Sequence, residues 1–130
     1  MSEIIYRVQD AQGRGPWKPG FSAQWVEDRP DHDNLAPWYE EFENVLHRRT
    51  KGLVVGCGCK TKDQLKRWFT PGEYKTLTGK GYESVAMFVD EILAESDTQC
   101  VFEVADPLWV RAVPFSLYSK SEIEQVEGKR

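Results

Sequence analysis

The stretch Gly52-Leu-Val-Val-Gly-Cys-Gly-Cys-Lys-Thr-Lys-Asp-Gln-Leu-Lys-Arg-Trp-Phe69 decides how this chain folds. Leu53, Val54 and Val55 form a short apolar run next to glycines, the pattern of a buried strand. Gly56 and Gly58 allow backbone shapes that other residues resist, so the strand is expected to run into a Gly/Cys turn. Thr61 followed three residues later by Gln64 is a capping box, which starts a helix. Leu65, Trp68 and Phe69 then share its inner face, and Lys60, Lys62, Lys66 and Arg67 stay in water. Thr70-Pro71-Gly72-Glu73 repeats the start signal, with Pro at the first helical position. Tyr74 and Leu77 face inward, and Gly79 and Gly81 stop this second helix.

Upstream, Glu3 to Gln9 alternates as a strand. Ile4, Tyr6 and Val8 form an apolar face, and Ile5, Arg7 and Gln9 the other. Asp10 to Gly20, DAQGRGPWKPG, holds Gly13, Gly15, Pro16 and Pro19, which forbid a regular element. Trp17, Phe21 and Trp25 follow within nine positions. They either line a cleft or pin the loop to the core. Asn34 to Leu46 predicts a short helix, with Pro37 at its start and Trp38, Phe42 and Val45 on one face.

Downstream, Tyr82 to Asp90 reads as a strand, Glu91 to Thr98 as a connection and Gln99 to Val104 as a strand. Leu108 to Val113 reads as a last strand, closed by Pro114. From Ser119 the chain is polar, a frayed helix or a disordered tail. The expectation is one α+β domain over residues 1–118, with mixed antiparallel sheets, two or three short helices mid-chain and a polar tail over 119–130.

The charge of the 130-residue chain is −4, and it is segregated. Residues 27–43 carry seven acids (Glu27, Asp28, Asp31, Asp33, Glu40, Glu41 and Glu43) against Arg29. Residues 44–80 carry nine bases against two acids, and residues 81–103 carry six acids and no base. Such blocks either steer partners or neutralise each other across the fold. The acidic balance argues against direct nucleic-acid binding. No apolar run approaches the roughly 18 residues of a membrane span. No leader pattern opens the chain, and three cysteines suit reduced thiols, so a cytoplasmic protein is expected.

Catalytic signals are sparse. Cys57, Cys59 and Cys100 could meet a zinc with His32 or His47, but one residue between paired cysteines is short of the usual spacing. Asp31, His32 and Asp33 lack the ligand repeat of a calcium loop, and no metal is expected. Cys59 precedes a helix N-terminus, which favours a thiolate, yet neither histidine can be placed beside it. Phosphate-loop, dinucleotide-glycine, serine-elbow and zincin motifs are all missing from the sequence.

In its order of elements the chain resembles a small ADP-ribosyltransferase. Tyr6-Arg7 resembles that family's early strand, Gly52 to Phe69 its strand-and-helix unit, and Tyr82 to Val110 its late strands. The resemblance implies that Arg7 would bind nicotinamide adenine dinucleotide, with Trp17 or Phe21 stacking on a ring. It also implies an acid at the head of the late strand, where this chain has Gln99. Gln99 lacks the charge that stabilises an oxocarbenium centre, and Glu103, on the same face, is the substitute. The chain also resembles short accessory proteins of phages and prophages, among them anti-CRISPR inhibitors. That likeness implies a non-catalytic protein without a cofactor, whose acidic residues bind a host defence or nucleic-acid-handling protein or nucleoprotein complex. The alternative is an active NAD-dependent mono-ADP-ribosyltransferase using Arg7, Gln99 and Glu103.

Overall fold

The structure, a computed structural model, describes residues 3–16, 21, 24–25, 41–42, 54–104 and 112–128. Strand β1 (Glu3–Gln9) is followed by β2 (Val54–Gly58), helices α1 (Lys62–Trp68) and α2 (Pro71–Gly79), and strands β3 (Glu83–Val89), β4 (Glu91–Glu95), β5 (Cys100–Val104) and β6 (Ala112–Phe115). Helix α3 (Lys120–Gly128) ends the described chain. The fold is α+β. One antiparallel sheet has the order β1-β3-β6 and the other the order β2-β5-β4.

Among the described residues, the sheets are laced at two points. The chain passes from β3 in one sheet to β4 in the other with only Asp90 between them, and the Asp90 N–H donates to the Glu103 carbonyl at 3.1 Å. At the second point Tyr6 and Cys59 exchange a pair of backbone hydrogen bonds of 2.7 and 2.8 Å. Between the sheets, Ile5, Val85, Met87 and Val89 pack against Cys100, Phe102 and Val104. Burying aliphatic or aromatic side chains of this size contributes roughly 1.5–3 kcal/mol each.

The reverse face of the first sheet carries the helices, through a core of Val8, Leu65, Phe69, Tyr74, Leu77, Leu117 and Tyr118. Thr61 accepts from the Gln64 N–H, while the Gln64 carboxamide reaches the Lys60 N–H rather than that of the cap. The Thr70–Glu73 box closes in both directions. Gly81, at φ +91°, makes the stop after α2, and the Tyr82 N–H returns to the Leu77 carbonyl at 3.0 Å.

Three expectations need correction. The Gly/Cys segment is strand through Gly58, and neither Gly56 nor Gly58 has positive φ. Their role is to lack side chains: a Cβ on Gly58 would stand 2.9 Å from Ile5 Cδ1 and 3.0 Å from the Tyr6 carbonyl. A Cβ on Gly56 would stand 2.9 Å from the Phe102 ring. Residues 91–95, expected as connection, form β4. A register shift between Ile92 and Ala94 breaks the alternation that marks a strand. Pro114 lies inside β6 and does not close it; β6 is an edge strand, where a missing N–H is tolerated. Of the two alternatives for the tail, the structure shows the helix: residues 120–128 are helical, started by a second complete box in which the Ser119 and Glu122 side chains each accept the other's N–H. Of the expected helix over 34–46 only Glu41 and Phe42 are described, and the strand residues 108–111 lie outside the described residues.

Gly58→Ala is expected to destabilise the protein by about 1–3 kcal/mol, because the new methyl meets β1 backbone that cannot swing away. Gly79→Ala, whose Cβ would meet nothing within 4 Å, is expected to be neutral or slightly stabilising. Paired urea denaturations measure both.

Candidate functional site

Alternation along β1 places Arg7 on the face of Ile5, between the sheets. Its guanidinium carbon lies 5.6 Å from the centroid of the Phe102 ring. Gly56 and Gly15 flank its two ends: their ideal Cβ positions fall 3.2 Å from Nη1 and 3.3 Å from Nη2. The Nε atom is sealed from solvent and has no hydrogen-bond partner. Burial lowers the Arg7 pKa, an effect opposed by Cys57 and Asp10. Asp10 is already engaged. Its carboxylate accepts from the N–H groups of Gln12 and Arg14 and pairs with Arg14 Nε at 3.1 Å. Burial alone would raise its pKa, but these bonds together hold it below the usual carboxylate value.

The other candidate residues lie elsewhere. In β5, Cys100, Phe102 and Val104 face the first sheet, so Gln99, Val101 and Glu103 point to the opposite side. Glu103 is 1% exposed there, and Val101 packs with Leu93, Ala94 and Phe42. Gln99 Nε2 donates to Glu41 Oε1 at 3.0 Å, and the Ser96 and Thr98 hydroxyls donate to the same oxygen at 3.0 Å. Glu41 thus ties down the turn between β4 and β5. Trp68 Nε1 holds the same turn from the helical side, donating to the Thr98 carbonyl at 2.8 Å. Phe21 stacks on Tyr82 at 5.5 Å and packs into the helical core, on the far side of the first sheet from Arg7. Trp17, Glu27, Asp28, Asp31, Asp33, Glu40 and Glu43 lie outside the described residues, as do His32 and His47. Arg7 is therefore not brought together with Phe21, Gln99 or Glu103.

Cys59 and Cys100 are buried, and burial pushes both thiols up, Cys100 to about 12. Cys57 is also raised, by burial that outweighs the pull of Arg7. These are neutral thiols near pH 7. Among the described residues, no group of three His, Cys, Asp or Glu side chains could hold a metal, and no helix is long and apolar enough to cross a membrane.

The turn hub built by Glu41 escaped the sequence reading. A Ser-x-Thr-Gln turn carries a local polar signal, but its acid lies more than 50 residues away. The unpartnered state of Arg7 had no sequence signal either, since it depends on which acids fold near it.

Fold and site describe a small α+β protein in which the described cysteines are neutral thiols and Glu41 is held in a turn. The family model for the bacteriophage T4 Y00F protein matches residues 1–116, and the chain belongs to that family. No curated protein and no solved structure matches it. The resemblance to ADP-ribosyltransferases rests on the order of elements alone.

Cys59 and Cys100 favour the protonated form in the folded state, whereas an unfolded thiol ionises near 9. Their contribution to stability is complete below that value and lost as pH rises from it towards 12. Urea midpoints are expected to fall from pH 9 to 11, with a slope approaching about 1.4 kcal/mol per pH unit per thiol. The fall should be shallower in Cys100→Ala.

Proposed function

We propose that this phage protein is a non-catalytic interaction protein that inhibits a host defence or nucleic-acid-handling target, a protein or a nucleoprotein complex. The observation that carries this reading is the separation of Arg7 from Glu103 by the thickness of a sheet. A cation and an acid on opposite faces of β5 cannot act on one bound dinucleotide, and the thiols near them are neutral. A binding role asks only for a surface. Support for the surface comes from the acidic segment of residues 27–43, which carries a formal charge of −6. Complementary charge speeds encounter with a basic target and disfavours wrong partners. Glu41 is set apart from that surface, because its carboxylate already holds the β4–β5 turn. Glu27, Asp28, Asp31, Asp33, Glu40 and Glu43 remain as the contact acids. No cofactor is needed, and the encounter takes place in the host cytoplasm.

The alternative, mono-ADP-ribosyl transfer from NAD, needs Arg7 and Glu103 at one ligand. No further observation favours it.

Immobilised protein is expected to retain nucleic-acid-binding host proteins from a bacterial lysate and to release them as salt is raised. A chain carrying Glu27→Lys, Asp28→Lys, Asp31→Lys and Asp33→Lys, with an unchanged circular dichroism spectrum, should retain roughly tenfold less. Equal retention by both chains would remove the acidic surface from the account.

A further inference from the structure

Among the described residues, every buried side-chain nitrogen or oxygen has a hydrogen-bond partner except Arg7 Nε. The fold satisfies far less costly groups with care. The buried Ser84 hydroxyl, for example, meets both the Tyr74 hydroxyl and the Phe115 carbonyl. A sealed guanidinium N–H left without an acceptor costs free energy, and Arg7 as a whole is only partly exposed, so the group suits a partner from outside the chain. Its surroundings narrow the choice. Phe102 lies against the group, and Gly15 and Gly56 leave its terminal nitrogens unobstructed by side chains. Among the described residues, the charge acting on it at neutral pH is that of Asp10, which is spent on Arg14, while the Cys57 thiol is neutral. One positive charge stands alone near an acid. A monoanion matches it charge for charge, whereas a dianionic phosphate would keep an uncompensated charge beside Asp10.

We propose that Arg7 is the recognition point of a carboxylate-binding site, in which the guanidinium receives both oxygens of the ligand between Gly15 and Gly56. Arginine is the side chain suited to this, because its planar fork meets two carboxylate oxygens at once. The carboxylate can come from a small organic acid or from the C-terminus of a peptide. The proposal does not depend on the interaction proposed above.

The test follows the Nε–H resonance of Arg7 by ¹⁵N–¹H spectroscopy while acetate, N-acetylglycine, N-acetylglycinamide or inorganic phosphate is added at constant ionic strength. Acetate represents the small acid and N-acetylglycine the peptide terminus. A saturable shift with either carboxylate, and none with the amide, is expected; the tighter of the two identifies the source. Gly15→Ala, which crowds Nη2, should weaken binding severalfold with the fold intact. Arg7→Met should abolish carboxylate-dependent thermal stabilisation while keeping or raising the Tm of the free protein, since it removes a sealed donor that has no acceptor. Silence towards both carboxylates, an equal response to the amide, or a response to phosphate alone would overturn the proposal. So would an Arg7→Met variant that unfolds far more easily while Gly15→Ala binds like the wild type.

Discussion

The close approach of β1 to β2 is the constraint on which the rest of the structure depends. Ile5 crosses over Gly58, Arg7 reaches the edge of Gly56, and Tyr6 exchanges its two backbone bonds with Cys59. Only missing side chains make this possible, because any Cβ on Gly58 would collide with backbone as well as with Ile5. Once β1 is seated, its two faces are committed. Val8 joins the helical core, and Ile5 joins the layer between the sheets. The strand is thus shared by both cores, and Cys59, at the end of β2, leads directly into α1.

The same geometry sets what the polar groups can do. β5 is buried on both sides, so it separates Arg7, beside Phe102, from Glu103 and Gln99. Gln99, Ser96 and Thr98 converge on Glu41, an arrangement that fixes a turn and occupies that carboxylate. Thiols pushed up by burial are inert packing groups. Among the described residues, Arg7 Nε is the exception to this satisfied interior, and Arg7 lies beside two glycines, Gly15 and Gly56.

Local signals were legible in the sequence. Thr61, Thr70 and Pro71 mark helix starts through interactions spanning three or four residues, and β1 reads as a strand, although Ile4, of the face expected inward, is exposed and Ile5, of the other, is buried. The Ser119–Glu122 box was equally local but was hidden by the polar composition around it. Other features depended on distant partners. β4 holds five residues and a register shift, so its alternation fails at Leu93, and only β5 makes it a strand. Gly56 and Gly58 look like turn residues until β1 is laid across them. The faces of Arg7 and Glu103 could each be read from alternation, but whether those faces meet depends on sheet order, which no single strand encodes. The surplus of acids in residues 27–43 is a sequence fact, whereas the capture of Glu41 by a turn more than 50 residues away belongs to the tertiary fold.

Native-state hydrogen exchange of the Tyr6 and Cys59 N–H groups tests the central constraint most directly. If the two sheets are laced at this pair, both amides exchange as slowly as those of β3 and open only with global unfolding. Exchange of this pair orders of magnitude faster than β3, as at a fraying edge, would contradict the account and leave the two sheets joined only at the Asp90 corner.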